Sequence, residues 1–216
     1  MTRQVLTPDQ RKKIRAQLYK SDFNQNPEPR DGKIRLFTKY TDGKIVLDLG
    51  CIDHDEENWR SKFWLHKAIK EVAKEVIGLD YYKEGVEKLK DNGFDIVYGD
   101  AQKFNFNKTF DVVTAGDLIE HLPNLNGFMS SVRSVLKKNG LFLISTPNPW
   151  CWKYFSYHAL RGKLVPMNPE HVSWFCLQTL ENLGNRYGFC INHHEFFSRR
   201  TYEKLVPLPS HLKHTT

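Results

Sequence analysis

The chain has 216 residues, of which 40% are hydrophobic and 26% charged; this is the composition of a globular domain with its own core, not of a disordered or fibrous chain. Its net charge of +7 favours anionic partners such as RNA, phosphorylated metabolites or acidic lipid, and says nothing about fold. No apolar run approaches the roughly 20 residues needed to span a bilayer. The first residues carry no apolar signal segment, and Cys51, Cys151, Cys176 and Cys190 form no CxxC pair, so the chain reads as cytoplasmic, without membrane insertion and without structural zinc.

Residues 7 to 20 read as a helix, because Thr7-Pro8-Asp9-Gln10 supplies a capping hydroxyl, a proline at the first helical position and a glutamine three residues after the cap. Arg11, Lys12, Lys13 and Arg15 give it a basic face. That face is either solvated or a nucleic-acid contact, and no aromatic-interleaved RNA motif accompanies it. Residues 21 to 43, rich in Asn, Pro, Asp and Gly, read as a loop. Residues 1–43 therefore form an N-terminal helix and loop, an arm or lid, ahead of a domain over 44–216.

From residue 44 the chain alternates. Ile45 to Leu49 reads as a strand buried on both faces, followed by a helix near 60 to 74 with Trp64, Leu65, Ile69, Val72 and Ala73 as its core face. Val76 to Asp80 is a second strand, residues 82 to 92 a charged helix ending at Asn92-Gly93, and Phe94 to Tyr98 a third strand. Phe110 to Ala115 is the fourth. A helix over about 124 to 138 carries Leu125, Phe128, Met129, Val132, Val135 and Leu136 at helical spacing and ends at Asn139-Gly140. Leu141 to Ser145 is the fifth strand. A helix over about 177 to 187 leads to a sixth at Phe189 to Ile191, and Tyr202 to Leu208 offers an antiparallel edge. Strands alternating with helices predict an α/β fold with a doubly wound, mostly parallel sheet. An insertion over about 147–172, holding Trp150, Trp152, Tyr154, Phe155, Tyr157 and His158, interrupts the rhythm. It reads either as a wall of a substrate pocket or as a cap over the core.

Open parallel sheets bind ligands beyond the carboxyl ends of their strands. Here those ends carry Asp48 to His54, Asp80, Asp100, Gly116-Asp117 with Ile119 to Leu122, and Thr146 to Asn148. Gly50 permits a sharp turn and a close approach of backbone to ligand. A carboxylate at Asp80 can accept both hydroxyls of a ribose, and Asp100 can accept from an exocyclic amine. The loop after the first strand has one glycine and three nearby acids, Asp53, Asp55 and Glu56. Such a loop repels a pyrophosphate and lacks the G-x-G-x-x-G run of dinucleotide sites; it suits a ligand with ammonium and sulfonium groups.

Residues 44 to 196 resemble the class I S-adenosylmethionine-dependent methyltransferases, particularly the broad group containing ubiquinone-biosynthesis and other small-molecule enzymes. The resemblance lies in six motifs in order: Ile45 to Cys51, Val76 to Asp80, Gly99-Asp100-Ala101, Phe110 to Val113 with Ile119 to Pro123, Gly140 to Asn148, and Pro169 to Val172 followed by Trp174-Phe175. It implies a seven-stranded Rossmann-like sheet with S-adenosylmethionine as cofactor and S-adenosylhomocysteine as product. Asp48, Gly50, Cys51, Asp53, Asp80, Tyr81, Asp100, Ala101 and Asp117 are the implied cofactor-binding residues, with Asp80 on the ribose and Asp100-Ala101 at the adenine. Ile52, Asp53 and His54 stand where the family's first motif usually continues with glycine. Asn148-Pro149-Trp150 is similar to an amino-methylating signature that belongs after the fourth strand; here it follows the fifth and reads as a turn.

Methyl transfer is an in-line displacement in which the protein mainly aligns and dehydrates the reactants. An oxygen or nitrogen acceptor can need a base, and His121 and His171 are the candidates. The expected partner is a small-molecule methyl acceptor. RNA and a non-catalytic role for the same fold are the competing readings, and the oligomeric state is left open. No dense set of metal ligands is seen at fixed spacing; Asp117, Glu120 and His121 are set aside as a metal site, so the expected enzyme is metal-independent.

Overall fold

Five of the apolar runs become five parallel strands. The structure, a computed structural model, describes residues 29–53, 56–149, 151 and 168–196. The predicted helix at 7 to 20, His54, most of the insertion and the edge at 202 to 208 lie outside the described residues. The elements are α1 (Pro29–Thr41), β1 (Ile45–Leu49), a 3-10 turn (Glu56–Arg60), α2 (Leu65–Val72), β2 (Glu75–Asp80), α3 (Lys83–Asp91), β3 (Ile96–Tyr98), β4 (Phe110–Gly116), a second 3-10 turn (Ile119–His121), α4 (Leu125–Val135), β5 (Leu136–Ser145) and α5 (Leu177–Arg186). The sheet order is β3-β2-β1-β4-β5. The order reverses between β1 and β4, so their carboxyl ends open a crevice there.

The two-residue period of β1 and β4 sorts their side chains into two cores. On one face, Leu47, Leu49, Val113 and Ala115 pack with Phe128, Met129, Val132 and Val135 of α4, and Leu180 and Leu183 of α5 rest on the same cluster. On the other, Val46 and Val112 pack with Val76, with Phe37 of α1 and with Ile69 of α2. A third cluster joins α3, through Val86 and Leu89, to Cys51, Ile52, Trp64 and Ile96. Covering both faces is what makes the strands continuously apolar.

Four readings of the sequence are corrected. Residues 29–41, taken as loop, are helical. Turn-forming residues dominate up to Gly32, yet Pro29 suits a first helical turn and Phe37 anchors the helix in the core. The helix expected near 60 to 74 splits, with α2 starting at Leu65 after the 3-10 turn. The helix expected to run to Asn139-Gly140 stops at Val135. Leu136 already pairs with Phe110, and the strands resume as Val112 with Leu141 after a bulge. Gly140 marks close packing rather than a helix end, since a Cβ there would stand 2.8 Å from Leu136 Cγ and 2.9 Å from the Asp111 carbonyl. Finally, Phe189 to Ile191 is not a strand. The chain leaves α5 through Gly188 at φ +76°, and the Phe189 ring packs 5.6 Å from that of Phe142 instead of joining a ladder.

Asp111 ties the sheet at its amino end. Its Oδ2 accepts from the Ile45 amide at 2.9 Å and its Oδ1 from Lys137 Nζ at 2.6 Å. The Lys137 hydrogen bond, with the Ile45 amide, holds this carboxyl below the usual range. A depressed pKa stabilises the fold above the ordinary carboxylate pKa and ceases to as pH falls through the lowered value. Asp111→Asn should therefore cost about 1 kcal/mol at neutral pH and much less at strongly acid pH. Urea unfolding of both proteins at the two pH values checks this; a cost independent of pH would contradict it.

Candidate functional site

The loop after β1 turns at Gly50, whose φ is +68°. Its amide donates to the Leu79 carbonyl at 2.8 Å, so the turn is bound to the end of β2. A Cβ there would stand 2.9 Å from Leu118 Cδ1, a side chain of the loop after β4. The glycine thus lets the two loops that flank the crevice touch. Gly50→Val adds left-handed strain and a clash, which together cost about 2 kcal/mol or more. The melting temperature should fall by roughly 4–8 °C for a chain of this size, and an unchanged melting curve would contradict the packing.

Asp80 closes β2 with its carboxylate almost fully buried. Oδ2 accepts from the Ile52 amide at 3.0 Å and Oδ1 from the Tyr82 amide at 3.0 Å. Each oxygen has a second lone pair for a further donor. Ile52, which departs from the glycine pattern, is buried with Trp64 and Val86. The departure therefore fills a core position and leaves its amide on Asp80. Tyr81 is exposed beside it. Asp53 takes a left-handed φ of +54° and receives Asn58 Nδ2 on its backbone carbonyl at 3.2 Å. The Cys51 side chain is turned inward; burial, then the charges of Asp80 and Asp48, push its thiol well up. That makes it an inert packing group rather than a nucleophile.

Asp48 lies beneath the loop and not at its surface. Thr114 Oγ1 donates to its Oδ1 at 2.6 Å, and His66 Nδ1 bonds its Oδ2 at 2.9 Å. Neighbouring Trp64 donates through its indole to the Cys51 carbonyl at 2.7 Å. His66 was missed in the sequence, where it sits within an otherwise ordinary amphipathic helix. The only signal was its place one residue after Leu65, at the point where α2 meets the loop.

Asp100 is exposed after β3, its Oδ1 accepting from the Gln102 amide at 2.8 Å. The Gly99 amide donates to the Asp80 carbonyl at 2.9 Å, which links these two strand ends. Ala101 is turned into the core. After β4, Asp117 stands at φ +52°. Lys33 of α1 reaches its Oδ2 at 2.8 Å and Ser145 of β5 donates to its Oδ1 at 2.7 Å. Burial works against its charge, but the Lys33 ammonium, its hydrogen bond and the Ser145 hydroxyl together hold the carboxyl below its usual range. Lys33 was also missed, because α1 had been read as loop, and so was Ser145, which was read only as the last residue of the fifth strand.

The second 3-10 turn brings Glu120 and His121 to His171. The Glu120 carbonyl receives the amides of Val172 and Ser173 at 2.8 and 3.2 Å, which fastens the 168–176 segment to the turn. His121 and His171 then meet edge to face at 4.7 Å between ring centroids. The Glu120 side chain is 2% exposed. Its Oε1 stands 4.0 Å from His171 Nε2. Neither of its oxygens has a hydrogen-bond partner of good geometry among the described residues, and buried Thr146 Oγ1 is in the same position. Burial, above all, pushes this carboxyl up to about 7, with the Asp117 charge adding to it and nearby Thr146 opposing. The two histidines read separately from sequence thus belong to one cluster, with Glu120 as its buried member.

These residues line one end of the sheet, from β3 to β5. A model of a methyltransferase domain matches residues 22–205. A protein of Mycolicibacterium smegmatis named "Probable S-adenosylmethionine-dependent methyltransferase" is 31% identical over 150 residues, 68% of this chain and 52% of that one. The ubiquinone biosynthesis O-methyltransferase of Haemophilus ducreyi is 30% identical over 145 residues, 62% of this chain and 58% of that one. The chain thus spans little more than half the length of these curated relatives. An S-adenosylmethionine-dependent methyltransferase from Mesorhizobium loti shares the fold, with TM-score 0.53 and 18% identity over 77% of this chain and 83% of that one. By sequence motif, strand order and family match, the chain belongs to the S-adenosylmethionine-dependent methyltransferase family.

Proposed function

We propose that this chain moves a methyl group from S-adenosylmethionine to an oxygen or nitrogen of a small molecule. The observation that carries the reading is Asp80, a buried carboxylate fixed by the Ile52 and Tyr82 amides at the strand end beside the crevice. Two hydroxyls of a ribose can share its remaining lone pairs. Asp100 faces solvent one strand away and is assigned to the adenine amine, with Tyr81 and the Ala101 backbone flanking the nucleoside. The Gly50 turn and Asp53 are assigned to the methionine end. Asp117 is held by Lys33; a cofactor ammonium would take the place of that lysine. Asp48 supports the loop from beneath through Thr114 and His66, and Cys51 supports it by packing.

Displacement at a sulfonium carbon disperses charge, so alignment of the acceptor supplies most of the effect, on the order of 7–11 kcal/mol. His121 and His171 stand at the β4–β5 side, where an acceptor proton would be taken up. The small-molecule acceptor is supported by the likeness to a ubiquinone-biosynthesis enzyme.

The test incubates the full chain with methyl-labelled S-adenosylmethionine and either a small-molecule cell extract or total RNA. Label in the small-molecule fraction supports the proposal. Label in RNA alone, or in neither, contradicts it.

A further inference from the structure

The cluster beyond β4 has features that a pair of catalytic bases does not require. One ligand atom from each of Glu120, His121 and His171 lies within 4.8 Å of the other two. Tetrahedral ligands sharing an ion at about 2.1 Å stand about 3.4 Å apart, so modest side-chain rotation suffices to close the set. Independently, the Glu120 carboxylate is buried, and neither oxygen has a hydrogen bond of good geometry among the described residues; the nearby Thr146 hydroxyl is close enough to oppose its upward shift but does not make one. A buried carboxylate is normally paired, hydrogen-bonded or bound to a metal. The nearest cationic candidate, His171, is 4.0 Å away, beyond hydrogen-bond distance. The backbone of Glu120 also fixes the segment carrying His171, so one residue sets both its own carboxylate and its partner.

We infer that Glu120, His121 and His171 form a site for a divalent first-row transition-metal ion. Two imidazoles and one carboxylate favour Zn²⁺, Fe²⁺ or Co²⁺ over Mg²⁺ or Ca²⁺, which prefer all-oxygen sets. Three protein ligands leave a position open, as in catalytic rather than structural sites. This reverses the expectation of metal independence. His121 and His171 become ligands, not bases. The open position would take an acceptor oxygen and lower the pKa of its hydroxyl. That last step rests on the methyl-transfer proposal; the ion site itself does not.

The test uses the untagged full chain, stripped with chelator. Co²⁺ is followed by its visible absorption and Zn²⁺ by calorimetry, with S-adenosylhomocysteine titrated in parallel. The expected result is one ion per chain, not displaced by excess Mg²⁺. Glu120→Gln and His171→Ala should each weaken binding by more than the about 10–100-fold typical of outer-shell changes, while His193→Asn, in an exposed pair with Glu195, leaves it unchanged. Retained S-adenosylhomocysteine affinity shows that each variant is folded. Absence of stoichiometric binding in the unmodified chain overturns the site, as does survival of binding in both Glu120→Gln and His171→Ala or its loss in His193→Asn. Ion binding without S-adenosylhomocysteine binding would remove the methyl-transfer reading and leave the site. The reverse result would remove only the site.

Discussion

Asp80→Ala should lower affinity for S-adenosylhomocysteine by about a hundredfold or more. Two hydrogen bonds from a ribose to a charged group are worth about 1.5–3 kcal/mol each, and about 2.8 kcal/mol is a hundredfold. A second effect acts in the same direction. The Ile52 and Tyr82 amides lose their acceptor, so the loop that shapes the methionine end is released as well. Asp80→Asn keeps one oxygen acceptor and should fall between the two. Calorimetric titration of the three proteins checks the order. Equal affinity in Asp80→Ala and the unmodified chain would mean that the ribose lies elsewhere.

Asp48→Ala should be among the most destabilising single changes near the site without touching the ligand. It strands His66 Nδ1 in the interior and removes the shorter bond of Thr114 Oγ1, leaving that hydroxyl only the Leu47 carbonyl at 3.5 Å; a stranded buried polar group costs about 1–3 kcal/mol and a lost hydrogen bond about 1 kcal/mol. A total near 3 kcal/mol lowers the melting temperature by roughly 6–12 °C. Because the aspartate and histidine share one bond, Asp48→Ala and His66→Ala should be non-additive by about 0.5–3 kcal/mol in a double-mutant cycle. Strict additivity would mean that the pair does not act as a unit.

The strand ends were legible because a parallel sheet writes them plainly. Apolar runs stop at or within a residue of Leu49, Asp80, Tyr98, Gly116 and Ser145, and for β1, β2 and β4 propensity and burial agree. Two kinds of feature were not legible. One is local structure overridden by packing: α1 forms across a stretch of turn residues because Phe37 fits the core, and Gly140 serves close approach to Asp111 rather than a helix end. The other is long-range pairing. Nothing in the sequence near His66 points to Asp48, and nothing near Lys33 points to Asp117. The Glu120–His171 contact joins positions about fifty residues apart, and it depends on the 168–176 segment being fastened by the Glu120 backbone. The histidines were visible as candidates; their common carboxylate was visible only in three dimensions.

The most direct test of the central claim is isothermal titration of the full chain with S-adenosylhomocysteine, with NAD as the comparison. Saturable binding of S-adenosylhomocysteine, absent for NAD and lost in Asp80→Ala, is the expected result. Binding of NAD, or of neither compound, would contradict it, since a loop rebuilt around Ile52 would then no longer hold the methyl donor.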